Sequence, residues 1–300
     1  MRFAALALCA ALLSPGAVAA QQIAVTIDDA PVHGPLPEGE TYVGVAARMI
    51  AALSEAGDVP AVVFINAGSV EQQPEFAAVL SMWRGAGHAL GNHTWSHQNP
   101  NLIGAAAYEA EITRNEPVLA ALMGERDWRW FRYPFLAEGD DPALRARLRA
   151  FIAERDYRVA SVTMSFDDWA WNDPYVRCRA GGDDEAVAHL EQTYMAAADA
   201  AFDHARAMAR ALYGEDIPYV LLLHTGAFHA RMLPQVLALY RQKGAGFVTL
   251  DQAQAHPFYA PDMHVTPSDG PLYLETALRS RGRTPPDKPW DIAWLEEVCR

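Results

Sequence analysis

The chain has 300 residues, a formal net charge of −13, and 51% hydrophobic residues against 20% charged ones. This length and composition favour one large α/β domain with a full hydrophobic core. So acidic a chain repels nucleic acid and anionic membrane surfaces, which argues against both as partners and favours a neutral or cationic one.

The first 20 residues have the pattern of a cleavable signal peptide. Arg2 is their only charge, an apolar run covers residues 3–13, and small residues at 17–20 follow Pro15 and Gly16. The apolar run is too short to span a bilayer, and no later segment reaches about 18 uncharged apolar residues. We therefore expect a secreted or periplasmic protein that does not insert into the membrane.

Short apolar runs then alternate with longer segments of helical periodicity. The predicted strands cover residues 23–27, 61–65, 88–90, 130–132, 158–162, 219–223 and 247–250. The predicted helices cover residues 42–56, 74–85, 105–123, 142–155, 185–213 and 231–243. Gly57 and Gly244 are expected at helix C-caps and Asp184 at an N-cap. The alternation predicts an α/β fold with a mostly parallel sheet, and its seven strand–helix units fit a barrel one strand short of eight.

Residues 21–256 are predicted to form this single domain. From Pro257 the alternation of strand and helix segments ends, and Pro, Gly and charged residues predominate. We interpret residues 257–300 as an extended tail packed on the domain. Cys178 and Cys299 remain after export. An even pair in an oxidising compartment favours a disulfide between them, with two free thiols as the alternative.

The candidate catalytic groups all follow predicted strands. They are Asp28 and Asp29 after the first strand, His93 and His97 after the third, Arg132 at the end of the fourth, Asp168 after the fifth and His224 after the sixth. In parallel α/β folds the carboxyl ends of the strands meet at the edge where active sites are built. This convergence is stronger evidence for a site than any single motif.

Two imidazoles four residues apart and a carboxylate from another strand supply three ligands of a catalytic zinc-type site. An adjacent Asp pair suits a division between metal ligand and general base, and the residues alone permit either order for Asp28 and Asp29. Taken singly, each group also has an ordinary structural explanation. Asp28 and Asp29 could cap a loop, and His224 could be a satisfied core histidine.

Five ordered motifs resemble those of the polysaccharide deacetylases, also called carbohydrate esterase family four or the NodB homology domain. They are Thr26-Ile27-Asp28-Asp29-Ala30, His93-Thr94-Trp95-Ser96-His97, Arg132-Tyr133-Pro134-Phe135, Asp168-Trp169 and Leu222-Leu223-His224. The resemblance covers about residues 23–255 and implies a distorted (β/α) barrel. The sequence departs from the family pattern at Ile27, Ala30 and Ser165.

The resemblance also implies roles for the matching residues. Asp29, His93 and His97 would hold one divalent metal, usually zinc and sometimes cobalt or nickel. Asp28 would be the general base that takes a proton from water, and Arg132 would pair with Asp28 and keep it ionised.

The remaining motif residues would act on the substrate. His224 would protonate the leaving group, and Asp168 would orient His224 and raise its basicity. The backbone N–H of Phe135 would help bind the oxyanion. Trp169 and Leu222 would shape the pocket for the acetyl methyl group.

Aromatic residues accompany these motifs. Trp95, Trp169 and Trp171 lie in the predicted loops and are candidates for exposed platforms that bind sugar rings, with core packing as the alternative.

The other seven histidines match no ligand position of the family; they are His33, His88, His189, His204, His229, His256 and His264. His33 and His229 lie close to catalytic motifs and are candidates for substrate contact. His189 and His204 are interpreted as residues on a helix surface.

These features predict a metal-dependent hydrolase that removes N-acetyl groups from an amino-sugar polysaccharide, peptidoglycan-like or chitin-like. An O-acetyl esterase acting on acetylated xylan or a similar glycan is the alternative, because the same catalytic set serves both reactions. A carbohydrate-binding protein without catalysis is a third possibility, but it would be expected to lack Asp28, a metal ligand or His224.

Overall fold

A computed structural model describes residues 21–262 and 274–300, with the side chains of residues 261 and 262 excepted. The predicted signal peptide lies outside the described residues. The strands are β1 (Gln21–Ala30), β2 (Ala61–Ile65), β3 (Ala89–Asn92), β4 (Trp130–Phe131), β5 (Arg158–Val159), β6 (Tyr219–His224) and β7 (Ala245–Val248).

Helices connect and cover these strands. They are α1 (Tyr42–Glu55), α2 (Gly68–Gln72), α3 (Phe76–Gly85), α4 (Pro100–Met123), α5 (Pro142–Glu154), α6 (Asn172–Gly181), α7 (Asp184–Tyr213), α8 (Ala227–Gln242), α9 (Leu250–Gln254), α10 (Tyr259–Asp262) and α11 (Leu274–Ser280). Short 3-10 turns cover Pro134–Leu136, Asp168–Trp171 and Ala293–Glu297. No helix in the described part of the chain is both long enough and apolar enough to cross a membrane.

All strand pairs are parallel, in the order β5-β4-β3-β2-β1-β6, and β7 pairs with the first half of β1. Beyond β5 the chain reaches β6, where Met164 bridges Leu221 in parallel and accepts a hydrogen bond from the Leu222 N–H at 3.0 Å. The sheet therefore curls into the distorted (β/α) barrel that the sequence predicts, with seven parallel strands. β1 and β6 are apolar and buried along almost their whole length because helices cover the outside of the barrel.

Several helix boundaries differ from the prediction. α4 begins at Pro100 rather than at residue 105, because Asn99 caps it and proline suits a first turn. Gly104, at φ 74°, interrupts this first turn. α8 begins at Ala227, four residues before the predicted start. The N-cap of α7 is Asp183 and not Asp184, since the Asp183 side chain accepts the Ala186 N–H at 2.9 Å.

The C-terminal segment packs on the barrel. Cys178 in α6 is bonded to Cys299, as predicted. Arg177 donates hydrogen bonds to the backbone carbonyls of Leu295 and Val298 at 2.9–3.0 Å. The prediction of a purely extended tail is wrong, because α11 is a helix with a buried apolar face packed against α7. The boundary at residue 256 stays a prediction.

Candidate metal centre and active site

A β-bulge brings both carboxylates of the Asp pair to one site. The register between β1 and β2 shifts between Ile27 and Ala30, where β1 has one residue more than its partner strand. Neighbouring side chains of a regular strand point to opposite faces, and a bulge removes this alternation. Asp29 accordingly has a left-handed backbone, at φ 66°, and both Asp28 and Asp29 line the same cavity.

Asp29, His93 and His97 form a cluster with the composition of a metal site. One ligand atom from each residue lies within 4.8 Å of the other two. The Asp29 Oδ1 atom is 3.2 Å from Nε2 of His93 and 3.2 Å from Nε2 of His97. This Oδ1 atom is buried and has no hydrogen-bond partner among the described residues. Buried carboxylate oxygens are normally paired, so a cation is the missing partner that fits best.

The protonation of the two imidazoles suits such a cation. Nδ1 of His93 is 2.7 Å from the backbone carbonyl of Arg132, which only accepts, so Nδ1 carries the hydrogen. In the neutral ring Nε2 then offers its lone pair to the cluster. Burial lowers the pKa of His97 to about 4, and that ring is neutral at pH 7. The residues therefore fit a three-ligand divalent site with room for water.

Asp29 itself is ionised. Burial alone would raise its pKa, but a hydrogen bond from Nδ1 of His33 at 2.7 Å and the nearby imidazole of His93 hold the pKa well below its usual range. His33 thus contacts a predicted metal ligand, and it also lies against His224 with 5.1 Å between the ring centroids. The contact with substrate predicted for His33 stays a prediction.

Asp28 is paired with a buried arginine. Nη1 of Arg132 lies 3.1–3.2 Å from both carboxylate oxygens of Asp28, and its other nitrogens donate to Ala160 O and Thr26 Oγ1 at 2.8 and 2.9 Å. Arg132 is 1% exposed. An unpaired buried charge is costly, and this ion pair places opposite charges of Arg132 and Asp28 against each other in the interior.

His224, which is the register partner of Asp28 in the neighbouring strand β6, is held by Asp168. The Asp168 carboxylate accepts the backbone N–H of His224 and contacts Nδ1 of the same residue, both at 2.8 Å. Burial alone would lower the pKa of His224, but the Asp168 charge raises it to about 9. Burial would likewise raise the pKa of Asp168, yet His224 lowers it. His224 is therefore a cation near neutral pH, held by an ionised Asp168.

A second histidine, His229, also contacts Asp168. Nδ1 of His229 is 3.6 Å from Oδ2 of Asp168 and hydrogen-bonded to the hydroxyl of Tyr194. Burial lowers the pKa of His229 to about 4, so it is neutral. His229 is 3% exposed and does not line the active-site cavity. The prediction that it contacts substrate is not supported by its position.

The loop of the second motif is fixed by asparagines that the sequence did not single out. The Asn92 carboxamide accepts the Thr94 N–H at 2.9 Å and is itself bound by Asn115 at 3.0 Å. Asn66 donates to the backbone carbonyls of His93 and Thr94. No motif marks these residues, because an asparagine that shapes a loop looks like any other polar residue in the sequence.

The predicted aromatic platforms are only partly right. Trp169 is exposed and lines the cavity. Trp95 and Trp171 are buried, which contradicts their predicted exposure. The guanidinium of Arg114 covers the Trp95 ring at 4.4 Å, and Nε1 of Trp171 donates to Thr193 at 3.1 Å. Both rings belong to the packing under the loops.

Phe135 and Leu222 lie in the cavity as predicted from the motifs. Leu222 is buried at the carboxyl end of β6. Phe135 is exposed, stacks edge-on with His97 at 4.5 Å between centroids, and has a left-handed backbone at φ 55°. Left-handed backbone also occurs at Thr94, His97 and Asp167. Such strained residues concentrate where a fold must aim side chains at a ligand.

For two residues of the cavity, His204 and Asp167, the structure shows a position or contacts that the sequence does not predict. His204 was predicted on a helix surface, but α11 covers this part of α7 and leaves His204 9% exposed against the cavity. His189 is exposed, as expected. Asp167 binds the C-terminal segment, because its Oδ2 accepts hydrogen bonds from Lys288 Nζ and Trp290 Nε1, each at 3.0 Å.

The motifs, the barrel and the cluster of ligands together resemble those of a known family of carbohydrate-modifying enzymes. The family model of polysaccharide deacetylases matches residues 16–150. Over these residues the chain resembles the polysaccharide deacetylase family. No curated protein sequence matches it.

Solved structures share the fold at low sequence identity. One is a Bacillus anthracis protein, BA3943, described as a family 4 pseudoenzyme; a mutant of it with restored enzymatic activity is 17% identical, with a TM-score of 0.51 over 78% of this chain and 68% of that one. Another is a family 4 carbohydrate esterase from Streptomyces lividans in complex with acetate, 18% identical, with a TM-score of 0.50 over 78% of this chain and 96% of that one. These similarities concern the fold.

Proposed function

We propose that this chain is a secreted, metal-dependent hydrolase that removes N-acetyl groups from an amino-sugar polysaccharide, peptidoglycan-like or chitin-like. The observation that carries the proposal is the unpartnered, buried Oδ1 atom of Asp29 between two imidazoles, near the Asp28–Arg132 and Asp168–His224 pairs. A carboxylate and two imidazoles suit zinc, with cobalt or nickel as alternatives.

Hydrolysis of an acetamide requires a polarised carbonyl, an activated water and a proton for the departing nitrogen. A divalent cation held by Asp29, His93 and His97 would polarise the carbonyl and lower the pKa of water. Asp28 takes the proton of the attacking water, because a carboxylate can act as a general base and this one lines the cavity beside the metal ligands.

The other residues stabilise the tetrahedral intermediate that water attack produces and then help it to break down into products. The backbone N–H of Phe135 contributes to the oxyanion site. His224, a cation near neutral pH, gives its proton to the leaving nitrogen, while Asp168 holds its ring by Nδ1 and leaves Nε2 for the substrate. Leu222 and Trp169 enclose the acetyl methyl group.

A protonated acid at His224 favours the amide over the ester reaction. An amine leaves only after it gains a proton, whereas an alkoxide leaves with less help. The O-acetyl esterase remains the second candidate, because the cavity does not distinguish the two linkages. A non-catalytic sugar-binding protein is disfavoured, since the base, the acid and all three ligands are retained.

Acetate release tests the proposal directly. Purified protein is stripped with a chelator, reloaded with zinc, cobalt or nickel, and incubated with N-acetylated chitooligosaccharides or O-acetylated xylooligosaccharides. We expect release from the N-acetylated substrate, loss on chelation, and recovery with one metal per chain. Release from xylooligosaccharides alone would identify the esterase, and no release with any metal would refute catalysis.

The Asp28→Asn variant tests the general base. It should lower the acetate-release rate by about 10²–10⁴-fold, the usual contribution of general base catalysis. Asp184→Asn is the matched control, since the Asp184 side chain is 90% exposed and far from the motifs in the chain. A wild-type rate in Asp28→Asn would show that another group accepts the proton.

A further inference from the structure

His33 lies in the loop after β1, close to the predicted metal ligand Asp29. The Nδ1 atom of His33 is 2.7 Å from Oδ2 of Asp29. A carboxylate only accepts hydrogen bonds, so Nδ1 carries the hydrogen and donates it. The side chain of Asp29 is 12% exposed and that of His33 is 23% exposed, so water has little access to this bond. One oxygen of the carboxylate is therefore already engaged.

The two oxygens of Asp29 have different surroundings. Oδ1 is 3.2 Å from Nε2 of His93 and 3.2 Å from Nε2 of His97, and it has no hydrogen-bond partner among the described residues. Oδ2 is bound to His33 instead. Carboxylates bind cations through one oxygen or through both. With Oδ2 held by His33, Asp29 offers a single oxygen, and a four-coordinate metal keeps a position for water.

His33 supports the ligands without belonging to them. Among the described residues, the cluster of ligand atoms comprises Asp29, His93 and His97 and does not include His33. The His33 ring lies beside the ring of His224, at 5.1 Å between centroids. His33 thus neighbours both a predicted metal ligand and the proposed acid, and its Nδ1 atom is directed at the carboxylate.

The backbone next to His33 is fixed by other elements. Gly34 has a left-handed backbone at φ 67°, and a Cβ atom there would lie 2.8 Å from Nδ2 of Asn172 in α6. Asn172, 3% exposed, donates a hydrogen bond from this amide to the carbonyl of Pro35 at 2.9 Å. The hydroxyl of Tyr42 in α1 donates to the carbonyl of Gly34 at 3.3 Å. These contacts hold the His33 loop in place, as a preorganised site requires.

From these contacts we infer that His33 is a positioning residue of the metal site, whose Nδ1–H bond to Oδ2 of Asp29 leaves Oδ1 alone to bind the metal. The inference rests on the metal-dependent function proposed above and adds to it a residue that lies outside the five motifs. Without this bond the carboxylate can rotate, and then bind through both oxygens or turn away. Loss of such an outer partner typically weakens metal binding by about 10–100-fold.

Two substitutions separate the hydrogen bond from the ring. His33→Phe keeps an aromatic ring beside His224 and removes the donor. His33→Asn removes the ring, but its amide nitrogen takes the place of Nδ1 in the side chain and can still donate. His189→Phe is the control, an exposed histidine of α7 whose ring lies against Trp294. His33→Ala, which also lacks the donor, replaces His33→Phe if that variant does not fold.

The first measurement is the zinc affinity of the full-length protein, by competition with a chromophoric chelator. We expect His33→Phe to bind zinc about 10–100-fold more weakly than the wild type. His33→Asn should bind zinc nearly as tightly as the wild type, and His189→Phe should be indistinguishable from it. Wild-type affinity in His33→Phe would overturn the inference. An equal loss in His33→Phe and His33→Asn would also overturn it, because the ring and not the hydrogen bond would then matter.

The second measurement is the visible absorption spectrum of the protein loaded with cobalt, which reports the number and geometry of the metal's ligands. We expect a changed spectrum in His33→Phe, since the carboxylate of Asp29 is free to reorient there. His33→Asn and His189→Phe should keep the wild-type spectrum. A wild-type spectrum in His33→Phe would show that His33 does not set the way in which Asp29 binds the metal.

The two proposals fail separately, because zinc affinity and cobalt spectra need no substrate. Acetate release together with unchanged metal binding in His33→Phe would support the hydrolase and overturn the positioning role. Metal binding that depends on the donor at position 33, without any acetate release, would support the positioning role and refute the deacetylase function.

Discussion

The acidity of His224 is decided by one neighbouring side chain. Burial disfavours the charged imidazole, and the Asp168 carboxylate more than offsets this effect and raises the pKa to about 9. The protonated form that can act as an acid is therefore full at neutral pH and is lost as pH rises through about 9. A fall in activity on the alkaline side should follow this loss.

Asp168→Asn tests this assignment. The amide cannot stabilise the imidazolium as the carboxylate does, so the pKa of His224 should fall and the alkaline decline of kcat/KM should move to lower pH. The rate at the optimum should fall by about 10²–10⁴-fold. The control is Asp173→Asn, an exposed residue at the start of α6. An alkaline limb that stays in place in Asp168→Asn would remove His224 from the role of acid.

The sequence predicts the identity of these residues better than their arrangement. Seven residues can be selected because each follows a strand and matches a motif: Asp28, Asp29, His93, His97, Arg132, Asp168 and His224. Five of them line one cavity, and Arg132 and Asp168 are paired with Asp28 and His224. The bulge that turns both Asp28 and Asp29 inward could not be predicted, since it depends on the register with β2. The sequence also does not predict the contacts of His33 and His204, because these contacts involve residues that are distant in the chain.

At the scale of elements, the catalytic groups depend on close packing between neighbouring strands. Gly91 in β3 has no space for a side chain. A Cβ atom there would lie 2.6 Å from Cε1 of Phe64 and 2.9 Å from the backbone oxygen of Trp130. The Phe64 ring in turn supports the guanidinium of Arg132 at 4.9 Å. A change at Gly91 is therefore transmitted to the Asp28–Arg132 pair.

Gly91→Ala should lower the free energy of unfolding by about 1–3 kcal/mol, as overpacking does in a close-packed core. It should also reduce activity, because Phe64 must shift and its ring packs against Arg132. Gly85→Ala provides a matched control, since apart from its chain neighbours and the backbone of its own helix no described atom lies within 4 Å of the added methyl group. Equal urea midpoints for the two variants would show that the neighbouring strands make room for the methyl group at position 91 without loss of stability.

The strand order follows from the sequence more securely than the ends of the elements. Long buried runs such as β1 and β6 are easily predicted, because few other structures accommodate so many consecutive apolar residues. β5 was predicted over residues 158–162 but ends at Val159. The chain leaves β4 there to reach β6, and this change of partner closes the barrel. The local sequence does not indicate such a change of strand partner.

For the whole molecule, the C-terminal segment connects the stability of the fold to the shape of the active site. The sequence predicts that it packs on the domain and is tied to the middle of the chain by Cys178 and Cys299. It does not predict that Trp290 and α11 line the active-site cavity. That arrangement depends on Asp167, whose side chain reaches the segment from the loop beside Asp168.

Replacing Cys178 and Cys299 with serine tests this connection. The disulfide closes a loop between positions 121 residues apart, and its loss should lower the free energy of unfolding by about 2–5 kcal/mol. Reductant should bring the wild type to the same unfolding midpoint and leave the double variant unchanged.

The same variant separates stability from recognition. Under conditions where it remains folded, the affinity for an N-acetylglucosamine pentamer should fall, because the segment that carries Trp290 loses its covalent anchor. The catalytic groups sit on strands and loops that the disulfide does not touch, so kcat on bound substrate should change less than KM. A fall in kcat at constant KM would mean that the segment supports the catalytic loops themselves, through Asp167 and Asp168, and not the cavity wall that includes Trp290.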